Sequence, residues 1–143
     1  MEQQNANKKT FRVLTAAEQK ERADIIRSGA EYKGKDTDDY AHYSGMTPET
    51  ARKLLNAGYA DPKESQNGAP TFEEMTIFCE QHPGFKLHGY VIGGDRWDAR
   101  ISVEGVQGTA QNTEAMLDFV ETFRCADDCD FDRETRDCYC WYD

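Results

Sequence analysis

The sequence predicts an α+β fold: a four-stranded antiparallel sheet of two hairpins with two helices on one face, preceded by a peripheral helical N-terminal region. Three observations carry that prediction. Residues 85–104 and 129–142 each alternate between apolar and polar side chains about a turn, the period of a half-buried strand. Each of these stretches follows a segment with a helix cap and an apolar stripe at helical spacing. A chain of 143 residues, 38% hydrophobic, is long and apolar enough for one compact domain with a modest core.

Residues 1–10 are polar, lack periodicity and read as a flexible tail. Phe11–Leu14 is either a short strand or the lead-in to a helix. Thr15 with Glu18 forms a capping box, and Gly29 is the matching stop. Between them Ala16, Ala17, Ala23, Ile25 and Ile26 make only a thin stripe, so this helix is expected at the periphery. Ala30–Met46 reads as loop with one helical turn around Asp38–Tyr43. Thr47-Pro48-Glu49 supplies a cap, a proline at the first helical position and an acidic first turn. That helix carries Ala51, Leu54 and Leu55 and stops at Gly58. The turn formers Asp61-Pro62 and Asn67-Gly68-Ala69-Pro70 then mark a soft boundary. It separates a helical region, 11–70, from an α-ββ-α-ββ unit, 71–143.

Thr71 and Glu74 open a helix bearing Met75, Phe78 and Cys79, which ends at His82-Pro83-Gly84. Phe85, Leu87, Gly89 and Val91 then alternate with Lys86, His88, Tyr90 and Ile92. Beyond a turn at Gly93–Arg96, Trp97, Ala99, Ile101 and Val103 alternate with Asp98, Arg100, Ser102 and Glu104. Asn112 or Thr113 caps a helix whose stripe is Ala115, Met116, Phe119, Val120 and Phe123. A symmetric turn at Arg133–Arg136 pairs Phe131 with Cys138, Asp130 with Tyr139 and Cys129 with Cys140. Cys129, Phe131, Cys138 and Cys140 then share one face, and Asp130, Asp132, Asp137, Tyr139 and Trp141 the other.

Charge is divided unevenly along the chain. Residues 1–70 carry 11 Lys/Arg and 11 Asp/Glu; residues 71–143 carry 6 and 16, the whole net charge of −10. Such a region repels nucleic acid and attracts basic surfaces, unless its acidity serves solubility alone. No apolar run approaches the roughly 18 residues of a membrane span, and MEQQNANKKT has no apolar signal core. With an odd cysteine count, five, these point to the cytoplasm.

Few chemical motifs survive inspection. Four thiols, Cys125, Cys129, Cys138 and Cys140, suit tetrahedral Zn²⁺, but they lack paired Cys-x₂-Cys knuckles, and same-face neighbours on a strand stand ~7 Å apart. Small apolar filler is the simpler reading of three cysteines beside a phenylalanine; a Cys129–Cys140 disulfide is the third. Asp128-x-Asp130-x-Asp132 resembles the start of a calcium loop, yet Arg133 and Tyr139 stand where that loop needs glycine and glutamate. His88 is a candidate general base, with Asp98 or Glu104 across the hairpin to orient it. Cys79 lies on an apolar stripe and reads as core rather than nucleophile. There is no phosphate loop, dinucleotide fingerprint or serine elbow.

The polar sheet face mixes aromatics with charge, a mark of binding surfaces. Either it is open or the N-terminal helices bury it. These readings give an expectation of a non-enzymatic acidic protein that needs no cofactor and engages a basic protein surface. Its expected contacts are Asp128, Asp130, Asp132, Glu134, Asp137, Tyr139, Trp141, Tyr90, Asp98 and Glu104. Its most specific form is a nucleic-acid mimic inhibiting a nucleic-acid-binding protein, the gross character of anti-restriction and anti-CRISPR proteins of phage and mobile elements. That likeness is compositional and rests on no motif. A zinc-stabilised structural domain and an enzyme using His88 are the alternatives.

Overall fold

The computed structural model describes residues 8–35 and 38–143. Its order is α1 (Ala16–Ser28), β1 (Glu31–Tyr32), β2 (Tyr40–Met46), α2 (Pro48–Ala57), α3 (Phe72–Gln81), β3 (Phe85–Ile92), β4 (Arg100–Thr109), α4 (Thr113–Phe123), β5 (Asp128–Phe131) and β6 (Asp137–Trp141). The fold is α+β, as expected, but the antiparallel sheet has six strands, not four, in the order β1-β2-β3-β4-β6-β5. Residues 1–7 of the expected flexible tail lie outside the described residues.

The helix starts follow the capping chemistry. Thr15 and Thr71 each accept from the backbone of the glutamate three residues on, whose carboxylate closes the box. Thr47 caps α2 ahead of Pro48, and Asn112 caps α4. One large core lies between the helices and one sheet face. Its centre is aromatic: Phe78 of α3 packs edge-on to Phe85 of β3 and Phe123 of α4, and Phe85 stacks on Phe119 at 5.4 Å.

Two expectations need correction. The helical turn around Asp38–Tyr43 is the start of β2, which pairs with β3 through Tyr40–Ile92, His42–Tyr90 and Tyr43–Gly89. Only Tyr43 and Met46 of this strand are buried, three residues apart, because Gly45 at φ 62° sits in an irregularity between them. That spacing mimics a helical period. The N-terminal region therefore supplies two strands as well as two helices. The second correction concerns the first hairpin: β4 begins at Arg100, the connection runs through 93–99, and Trp97 is 72% exposed rather than on the apolar face.

The segment before α1 is held by long-range backbone bonds. Lys9 N–H donates to Gly58 O (2.7 Å), Phe11 N–H to Ala99 O (2.7 Å) and Leu14 N–H to Gly94 O (2.8 Å). It lies against both the end of α2 and the β3–β4 connection.

Candidate functional site

The β5–β6 hairpin has the register expected from its alternation: Cys129 faces Cys140, Asp130 faces Tyr139 and Phe131 faces Cys138. Asp132 shapes its turn. The Asp132 carboxylate accepts from the backbone of Glu134 (2.8 Å) and Thr135 (3.1 Å), while its carbonyl accepts from Arg136 (2.7 Å). Strict alternation then segregates the side chains. Cys138 and Cys140 are buried, Cys129 packs against the core, and Asp128 and Asp130 share the opposite face with Tyr139 and Trp141. Phe131, on the apolar face but near the sheet's end, is 41% exposed.

Among the described residues the hairpin's carboxylates form a cluster without a cation, although single exposed acids elsewhere, such as Glu31, Glu49 and Glu114, form no ion pair either. Elsewhere Arg12 holds Glu18, Lys20 holds Asp24, Arg52 holds Glu73 and Glu80, and Arg96 holds Asp98. Among the described residues, none of Asp127, Asp128, Asp130, Asp132, Glu134 or Asp137 forms an ion pair. Nearby Arg136 turns inward, its Nε donating to Ala110 O at 2.9 Å. An open groove of about 580 Å³ runs over this end of the sheet, lined by Asp130, Phe131, Asp132, Asp137, Tyr139 and Gln107 among others.

Of the three remaining expected contacts, Glu104 meets the hairpin at Trp141, while Tyr90 and Asp98 lie elsewhere. Tyr90 and Glu104 are each only 8% exposed. The cover over Tyr90 is the 61–70 loop, not the N-terminal helices: Tyr90 donates to Gln66 Oε1 (3.0 Å), and Ser102 donates to Glu64 (3.0 Å). Burial raises the Glu64 carboxyl above its ordinary range, with Ser102 and Arg100 pulling the other way. Asp98 is locked by Arg96 in the 93–99 connection, which holds its carboxyl low.

The sheet face beside that loop carries a constellation absent from the sequence reading. Tyr40, 49% exposed, stacks on Tyr90 at 5.1 Å, and its hydroxyl lies 3.0 Å from His42 Nε2. His42 Nδ1 lies 3.7 Å from Glu104 Oε1. Burial raises the Glu104 carboxyl, opposed by His42 and by a hydrogen bond from Trp141. The alternation of Tyr40, His42 and Ser44 was the available signal for this strand face.

His88 pairs with neither Asp98 nor Glu104. Its Nε2 donates to the Cys140 carbonyl (2.9 Å), since a carbonyl can only accept, and its ring stacks on Tyr139 at 5.2 Å. Burial pushes this imidazole below its ordinary value. The cysteines are all free thiols, with Cys125 exposed. Burial raises Cys140 to about 12 and Cys138 to about 11. Among the described residues no three His, Cys, Asp or Glu side chains are placed to share a metal ion.

No family model matches the chain, and neither the curated proteins nor the solved structures contain a match. Among the described residues no helix is long and apolar enough to cross a membrane.

Proposed function

We propose that this chain is a non-enzymatic binding protein that engages a basic surface of a protein partner through its β5–β6 hairpin. One observation carries the reading: six exposed carboxylates, Asp127, Asp128, Asp130, Asp132, Glu134 and Asp137, gather on and beside one hairpin with no ion pair among the described residues. Unneutralised carboxylates on a rigid hairpin set up a directed negative field, which speeds association with a basic partner and selects against an acidic one. The most specific form of the proposal is occlusion of a nucleic-acid-binding groove, with carboxylates standing where phosphates would lie. Tyr139 and Trp141, half-buried beside them, offer flat apolar contact.

Asp128, Asp130 and Glu134 are the positions for the test, because none of their carboxylates accepts a hydrogen bond from the described residues. The measurement is a pull-down with wild type and the variant D128K/D130K/E134K, at low and at high salt, with the captured partner identified. Wild type should capture a basic or nucleic-acid-binding protein that salt releases, and the variant should lose it. Capture by the variant with unchanged affinity overturns the proposal.

A further inference from the structure

The backbone of β5 is as informative as its side chains. In an antiparallel pair, residues alternate between those whose N–H and C=O point at the partner strand and those whose groups point away. Asp132 N–H donates to Asp137 O at 2.9 Å, which sets the parity: Asp132, Asp130 and Asp128 point their backbone groups at β6. The other side of β6 agrees, since Arg136 O and Tyr142 N bond to Ala110 and Glu104 across β4. Cys129 and Phe131 therefore direct their N–H and C=O groups outward. β5 is the last strand of the sheet, and among the described residues no backbone bond runs from these two to another segment.

An open edge invites a further strand, and proteins commonly blunt such edges with charge. Here the charge is of one sign and on one face. Asp128, Asp130 and Asp132 stand on one side of the edge, with exposed Phe131 on the other. A second copy would set aspartate against aspartate, a destabilising cross-strand pair. A strand alternating basic and apolar residues would set Lys or Arg against Asp128 and Asp130, and its apolar side chains beside Phe131. We infer that β5 is the docking edge for an extended basic segment of the partner, which adds to the sheet as a seventh strand.

This rests on the hairpin being the partner surface, so the experiment separates the two ideas. The probe is a capped ten-residue peptide of alternating Lys and Val, compared with a Lys/Pro peptide of equal charge that cannot complete a strand ladder. Amide hydrogen exchange is followed by NMR on the full chain. The expected result is salt-sensitive binding of the Lys/Val peptide, with exchange at the Cys129 and Phe131 amides slowed at least about tenfold. The Asp128 and Asp130 amides, already bonded to β6, should change little. Equal binding of both peptides without that alternating protection overturns strand addition but leaves an electrostatic surface standing. Failure of both peptides to bind in a salt-sensitive way overturns both. Protection of Cys129 and Phe131 that grows with the protein's own concentration, without peptide, makes the occupant a second copy and also overturns the inference.

Discussion

The imidazole of His88 on β3 reaches across β4 to bond the carbonyl of Cys140 on β6, 52 residues away, at 2.9 Å. Gly105 makes the crossing possible. A Cβ there would stand 1.9 Å from the Cys140 oxygen and 2.7 Å from His88 Nε2, inside the bulge where β3 and β4 shift register after His88. Gly105→Ala should therefore cost about 1–3 kcal/mol or more, because a fixed backbone oxygen must move. Urea unfolding measures it; a midpoint within error of wild type would mean that β6 shifts freely.

His88 itself makes stability depend on pH. The folded chain holds the imidazole below its ordinary value, chiefly through burial, so the unfolded chain takes up the proton first. Stability should fall as pH drops below about 6.5 and level off below the folded-state pKa. In His88→Gln this segment of the curve of urea midpoint against pH should flatten. If the variant keeps the wild-type slope, the titration belongs to another group.

Glu64 works in the opposite direction. Its carboxyl is raised by burial, so its contribution is fully present below the ordinary value of 4.5 and is lost as pH rises through the folded-state pKa. Glu64→Gln keeps an acceptor for Ser102 and removes the half-buried charge. The variant should match wild type at acid pH and gain roughly 0.5 kcal/mol at neutral pH, a figure discounted for solvent screening. A loss at pH 7 would show that attraction to Arg100 outweighs burial.

The thiols should react in an order set by burial. Cys125 is exposed, Cys129 half-buried, and Cys79, Cys138 and Cys140 are in the core. With an aromatic disulfide reagent at pH 8, Cys125 should label first. Cys140, raised to about 12, should label only at the rate of unfolding. Peptide mass mapping of a time course reads the order, and early labelling of Cys140 would contradict the packing.

Much of the C-terminal half was legible because its signals are local. The turn at Arg133–Arg136, the alternation on both sides and the Thr71/Glu74 box each lie within a few residues. Strand β2 was hidden by its own irregularity: Gly45 lengthens the interval between its two buried side chains, Tyr43 and Met46. The cover over Tyr90 and Ser102 was hidden for a different reason. Its hydrogen bonds span 24 to 38 residues, and neither Glu64 nor Gln66 marks its own burial. The aromatic reading of the sheet face gave Tyr139 and Trp141 without Tyr40 and His42, because those two depend on recognising β2.

The strand order has one more consequence. β5 joins the sheet through β6 alone, and β6 is seated between β5 and β4. A ligand gripping the outer edge must therefore pull on the same seam that β6 closes. Mechanical load applied at β5 would be shared between two links, the short ladder to Asp137–Trp141 and the seat of Cys129 on the core, and the ladder is the one that ties the edge to the sheet.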